Sequence, residues 1–183
     1  MSFSTAPGVL IAIPQLADPN FHRSVVLMVE HNAEGALGLV LNMELEHLAA
    51  NVAVELGLTW PGHPEMHLRK GGPVEPQSLW MLHDDGWAFP ETMKAIPRVS
   101  VSRSREALTR MCMAKEQQLV FLVGYAGWGA GQLEREIAQG TWLTSTAVPE
   151  MVYEWPADEV WERSLRRLGV DPAHLVETIG EIH

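Results

Sequence analysis

Apolar and polar positions follow two different periods along this chain, and each change of period marks an element. Gly8 to Ile13 is a short apolar run stopped by Pro14, which predicts a strand. After the loop QLADPNFHR, with Asp18-Pro19 as a turn signal, Ser24 to His31 (SVVLMVEH) is rich in β-branched residues and predicts a buried strand. NAEG at 32–35 has hairpin length, and Ala36 to Asn42 (ALGLVLN) supplies the returning strand. Leu45, Leu48, Ala49, Val52 and Leu56 then recur at helical spacing, with Asn42 placed to cap that helix and Gly57 to stop it. Met66 to Arg69 and Ser78 to His83 read as strands on either side of the tight turn Gly71-Gly72-Pro73.

Residues 87–98 carry no clear period and read as irregular, and Val99 to Val101 as a short strand. Ser104 can cap a helix running to about Ala114, with Leu108, Met111 and Cys112 on one face. Leu119 to Ala126 is a strongly apolar strand, followed by the glycine-rich turn Gly127 to Gly131 and a helix from Gln132 to Gln139 closed by Gly140. Thr141 to Ala147 reads as a weaker strand, Asp158 to Leu168 as a helix closed by Gly169, and a short helix is expected after Asp171-Pro172. A purely parallel, doubly wound sheet would not open with a hairpin. The pattern therefore predicts an α+β fold, a mixed sheet with helices packed around it, and a length of 183 residues makes 1–183 a single domain.

Composition changes this picture only by exclusion. A hydrophobic fraction of 46% and a charged fraction of 20% are those of a globular chain and argue against disorder. Cys112 is the single cysteine, so neither an internal disulfide nor a cysteine-rich zinc site can form. With no basic n-region at the start and no run of eighteen apolar residues, a membrane span is not expected and the expected location is cytoplasmic. The net charge of −10 opposes phosphate backbones, so direct nucleic-acid binding is not expected. One segment departs from that balance. Residues 94–115 hold Lys94, Arg98, Arg103, Arg105, Arg110 and Lys115 against the single acid Glu106, a candidate docking patch for an anionic protein partner or else a solvated face.

The candidate chemistry is sparse. Gly127-Trp128-Gly129-Ala130-Gly131 lies between a buried strand and a helix, the setting of a phosphate loop. Three details oppose that role: Gly131 is followed by Gln132-Leu133-Glu134 and not by Lys-Ser/Thr, the third glycine of a dinucleotide fingerprint is missing, and Glu134 and Glu136 would repel an anion. A structural turn, or a pocket for a neutral or polar small ligand near Trp128, fits better. His31 and His83 each end a predicted strand, where a general base could sit. The candidate ligand-binding residues are thus Arg23, His31, His83, Tyr125, Trp128 and Gln132. His63 and His67 are four apart, but Pro64 between them removes the helix that would make them a metal pair. No serine sits in a nucleophile elbow, and Cys112 falls on an apolar helix face where a thiol is inert. Neither a catalytic constellation nor a cofactor or metal site is expected.

Several stretches together resemble the bacterial YqgE/AlgH family: GVLIAIPQLADPNFHRSVVLMVEHNAEGALGLVLN, the Gly71–Val74 turn, Leu82-His83, and GYAGWGAGQLEREI at Gly124 to Ile137. The later TWL and LGVDP fit as well, so the resemblance spans nearly the whole chain. Matching motif positions are Arg23, Ser24, His31, Asn32, Gly35, Asn42, Gly71, Gly72, Pro73, His83, Tyr125, Gly127, Trp128, Gly129, Gln132 and Glu134. Where the family carries Asn-Arg-Pro after the hairpin, this chain has Asn42-Met43-Glu44, which puts in doubt an anion or partner contact there. The resemblance implies one α+β domain whose mostly antiparallel sheet curls into a pseudo-barrel. It also implies a protein of a family described either as uncharacterised or as candidate transcriptional regulators, after a member linked to alginate production.

Overall fold

The hairpin read from the sequence is the framework of the molecule. In the computed structural model, which describes residues 3–114 and 118–174, β2 (Val25–Asn32) and β3 (Gly35–Val40) pair antiparallel from Val26↔Val40 to Asn32↔Gly35, with a bulge between Met28 and Glu30. β1 (Gly8–Ala12) joins the far side of β2. The chain then adds β4 (Glu44–Leu48), α1 (Ala49–Glu55), β5 (His67–Lys70), β6 (Val74–His83), β7 (Met93–Ile96) and β8 (Val99–Ser102). It continues through α2 (Arg105–Met113), β9 (Leu119–Gly129), α3 (Gln132–Ala138), β10 (Trp142–Ser145), α4 (Glu150–Tyr153), a 3-10 turn at Ala157–Glu159 and α5 (Val160–Arg167).

The ten described strands form one mixed sheet in the order β10-β1-β2-β3-β9-β6-β8-β7, with β5 attached to β9 and β4 to β5. Every pairing is antiparallel except β5 with β9. The path does not close, since β10 and β7 remain at its two ends. It does curl. Val9, Ile11, Val25, Leu27, Leu39, Trp80, Leu82, Ile96, Val101, Val120 and Leu122, from seven strands of the path, all belong to one buried cluster, with Leu41 just past β3. β2 and β7, with β3, β9, β6 and β8 between them in the path, nevertheless approach each other, so the sheet bends back on itself. Met151 and Val152 of α4 and Val160, Trp161 and Leu165 of α5 complete this inner core. Val29 of β2 and Ala95 and Ile96 of β7 line one apolar slot, so the described strands meet at this seam without hydrogen-bonded pairing. The expected pseudo-barrel is therefore a curled sheet left open.

Two further cores lie on the convex side. α1 and α2 press Ala49, Ala53, Ala107, Leu108 and Met111 onto Met81, Leu119 and Phe121, joined by Trp60 and Phe89. α3 sets Leu133 on Leu10, Val26, Met28, Val40, Ala126 and Trp128, with Trp142 beside them.

Several expectations are corrected. The helix expected from Asn42 begins only at Ala49, because Glu44–Leu48 pairs with β5, and the ELEHL pattern serves a strand as well as a helix. Asn42 caps no helix. Its Oδ1 accepts from Val25 N at 3.0 Å and its Nδ2 donates to Arg23 O at 2.8 Å, fastening the loop before β2 to the end of β3. The stretch read as irregular contains β7, whose free side lies in the seam. The strand read as ending at Ala126 runs on through Gly129, so the turn shrinks to Ala130 and Gly131, the latter at φ +72. α4 had no sequence reading. Ser104 caps α2 as expected, its hydroxyl accepting from Ala107 N at 3.1 Å. Gly57, Gly140 and Gly169 follow their helices at φ +76, +78 and +73. Lys115 and the tail past residue 174 lie outside the described residues.

Candidate functional site

Strand β9 pairs with β3, β5 and β6 and changes the face it presents along its length. Val120 and Leu122 point into the inner core. Gly124 then adopts φ +73, open to glycine at little cost, where the β6–β9 register shifts between Val74 and Leu79. After that bulge Tyr125 packs on the inner core, while Ala126 and Trp128 turn to the outer core under α3. By strand alternation Gly127 and Gly129 continue on the Tyr125 face. Leu37 lies directly opposite Gly127, Gly35 opposite Gly129, and Glu30 opposite Leu37 on the next strand. The inner face thus ends at the β2–β3 turn in an open trough of about 410 Å³, floored by glycine backbone and Leu37. Tyr125 and Val74 stand on one side, and Glu30, Asn32 and Glu34 on the other.

The acidic side is only partly neutralised. Glu30 accepts from Asn32 Nδ2 at 3.0 Å, and Asn32 Oδ1 takes the backbone N–H of Glu34 at 2.8 Å. The Glu34 carboxylate has no partner among the described residues, and no lysine or arginine lines the trough.

The six residues singled out from the sequence do not converge on this site. Tyr125 lines it, and Trp128 borders it through the strand while its ring is buried at 7% exposure, stacked on Phe21 and edge-on to Trp142. Gln132 folds back so that its Oε1 accepts from Gly129 N at 3.0 Å. His31 is a buried tie. Thr5 N donates to its Nδ1 at 2.9 Å, which leaves Nε2 to carry the proton given to Glu134 Oε1 at 2.7 Å. The backbone N–H of Glu134 itself at the start of α3, and after it that bond, hold the half-exposed Glu134 carboxyl below the usual carboxylate range. Arg23 is elsewhere: at φ +52, its guanidinium lies over Trp161 at 4.7 Å beside a second depression that includes Asp158 and Glu162.

His83 is fully buried on the far side of the sheet and resembles a nucleophile–base pair only in outline. Its Nδ1–H donates to Asp84 O at 2.9 Å, so Nε2 accepts from Ser102 Oγ at 2.7 Å. Ser102 in turn accepts from Thr92 Oγ1 at 2.7 Å, and Thr92 from Phe89 N at 2.8 Å. Each donor and acceptor in this chain is satisfied, and Ser102 is fully buried, so no substrate reaches it. Burial pushes the imidazole below its ordinary value of 6.5. The folded form stays neutral while the unfolded chain takes up a proton below that value. The contribution is therefore complete above pH 6.5 and is lost as pH falls through the folded value. Replacing His83→Gln should flatten the acid side of a stability–pH profile measured by urea unfolding. An unchanged profile would refute the assignment.

The other candidates are similarly absorbed. His63 lies in a loop and His67 in β5, donating Nδ1–H to Leu45 O at 2.6 Å. The Cys112 thiol is pushed up to about 11 by burial. In the basic segment Lys94 faces Asp85, Arg103 faces Glu75 while stacking on Trp80 at 4.1 Å, and Arg110 faces Glu106. Among the described residues no helix is long and apolar enough to cross a membrane.

Sequence reasoning missed Glu30, Glu34 and Arg69. The first two are ordinary hairpin acids until the pairing register sets them beside the glycines. Arg69 is an unremarked strand residue until its burial is known. It is 8% exposed, and its Nη1 donates at 3.1 Å to both Leu41 O and Val152 O. Burial lowers its pKa, and Glu44 across the strand pair acts the other way.

A curled α+β sheet of this order defines the class. The model of the AlgH-like family, DUF179, matches residues 9–173. A UPF0301 protein of Myxococcus xanthus is 45% identical over 175 residues, covering 93% of this chain and 94% of its own. One from Vibrio cholerae is 34% identical over 179 residues, covering 93% and 95%. The solution structure of AlgH from Pseudomonas aeruginosa matches with a TM-score of 0.75 at 32% identity over 96% of each chain. The crystal structure of DIP2367 from Corynebacterium diphtheriae gives 0.75 at 25% identity, covering 91% of this chain and 88% of that one. This chain belongs to the AlgH-like family.

Proposed function

We propose that this protein is a regulatory binding protein that acts by engaging a protein partner or small ligand, and not by direct contact with DNA. The observation that carries the reading is the trough at the mouth of the curled sheet. It is an open, preformed site with acidic and aromatic walls, in the part of a barrel-like sheet where ligands commonly bind. The regulatory half of the reading rests on the family resemblance. The net charge of −10 and the carboxylates facing Lys94, Arg103 and Arg110 support the exclusion of DNA. A second reading, a partner contact through segment 94–115, rests on Arg98 and Arg105. An enzyme with its pocket near the GWGAG stretch is disfavoured, because no nucleophile–base pair opens on the trough among the described residues. The single cysteine suits a cytoplasmic setting.

Fluorescence anisotropy of labelled duplex DNA at about 150 mM salt should give no saturable binding. Sequence-specific binding at roughly 10 nM or tighter, the range of dedicated DNA readers, would overturn the exclusion of DNA.

A further inference from the structure

The glycines around the trough divide into two kinds. A Cβ on Gly35 would overlap the Trp128 carbonyl oxygen, one on Gly72 the backbone of Tyr125, and one on Gly124 the Gly72 carbonyl oxygen. The fold itself requires those three. Gly127 and Gly129 are different. A Cβ on Gly127 would meet Tyr125 Cε2 at 3.4 Å and Val74 Cγ2 at 3.8 Å, and one on Gly129 would meet only Gln132 Oε1 at 3.9 Å. These are ordinary contacts, and neither glycine takes a positive φ. A glycine inside a strand costs about 0.5–1 kcal/mol relative to alanine. Such a glycine often marks a bulge, a tight bend or the close approach of another chain or ligand, and the β3–β9 register runs without a bulge through both positions, which favours close approach. Gly127 lies on the exposed floor between Tyr125 and the carboxylates of Glu30 and Glu34, and Gly129, also exposed, follows it along the strand opposite Gly35.

We propose that this trough is the docking site for an arginine- or lysine-bearing extended segment of a partner protein. This rests on the binding-protein reading above and names the occupant. The bare floor at Gly127, continued beyond the trough by Gly129, lets the partner's backbone lie flat on the sheet. Tyr125 and Val74 cover the aliphatic stem of the basic side chain, and its cationic head meets Glu30 and Glu34, whose negative charge no basic residue lining the trough offsets. The same charge rejects phosphate and carboxylate ligands.

The test is titration calorimetry of the full chain with a Gly-Arg-Gly-Arg-Gly peptide, its citrulline counterpart, and free arginine amide and spermidine. The arginine peptide should bind, and binding should weaken about tenfold with citrulline, with E30Q/E34Q, and between 50 and 300 mM salt, as for desolvated charge pairs. Gly127→Val, which fills the floor with a good strand former, should abolish binding while leaving the unfolding midpoint unchanged or raised. Equal binding by citrulline peptide, or undiminished binding by E30Q/E34Q or by folded G127V, overturns the proposal. Arginine amide or spermidine matching the peptide's affinity overturns the peptide segment in favour of a small cation. None of these outcomes depends on DNA, so the docking proposal and the exclusion of DNA can fail separately.

Discussion

Gly72→Ala is expected to unfold the protein or cost it more than about 3 kcal/mol, at the upper end for overpacking. The reason lies in the crossing of two segments of the chain. Between β5 and β6 the segment Gly71-Gly72 passes against β9 so closely that an added methyl at 72 would overlap the carbonyl of Tyr125 and the nitrogen of Ala126. Neither is the end of a flexible side chain. Both belong to the central strand, held by its pairing with β3 on one side and β6 on the other. The same methyl placed at Gly127 meets only ordinary contacts and should stabilise the strand by about 0.5 kcal/mol. Urea unfolding of G72A and G127A side by side separates crowding from loss of glycine's flexibility. Equal effects at the two sites would sink the argument.

Arg69→Ala should be the second large loss, on the order of 3 kcal/mol, because it strips a donor from two carbonyls at once. The guanidinium joins Leu41, just past the end of β3, to Val152 in α4. α4 has only four residues and no side-chain cap, so its place over the inner core depends on Met151, Val152 and this bridge. Arg69→Met keeps much of the packed stem and removes only the bridge. The difference between the two variants in urea unfolding isolates the hydrogen-bonding part. A loss below about 1 kcal/mol in R69M, the net worth of one ordinary hydrogen bond, would show that the carbonyls find other partners.

The sequence was most legible where local rules and tertiary packing agree. The β2–β3 hairpin, the Ser104 cap and the glycines closing α1, α3 and α5 all obey signals read within a few residues. It was least legible where one pattern serves two structures. Leu45, Leu48, Ala49 and Val52 are spaced for a helix, yet Glu44–Leu48 alternates well enough to pair with β5, and the pairing wins. Gly127 and Gly129 suggest a turn by sequence because glycine is permissive, and they are extended because β3 supplies a partner at Leu37 and Gly35. The trough was partly visible. Tyr125 and the glycines pointed to the correct strand end. Glu30 and Glu34 could be placed there only after the Met28–Glu30 bulge and Gly124 had fixed which side chains share a face. Arg23, His31 and His83 are strong chemistry in a list of residues but separate structural ties in space.

The single strand that feeds all three cores also constrains the order of assembly. During synthesis the ribosome releases β1, β2 and β3 early, and these can form a meander with local contacts alone. Neither the inner core nor either outer one can close until residues 119–129 emerge, because β9 lies between β3 and β6 and contributes Leu122, Phe121 and Ala126 respectively to the three. Until then the nascent chain carries the apolar faces of β2, β3 and β6 uncovered, the kind of surface that holding chaperones retain.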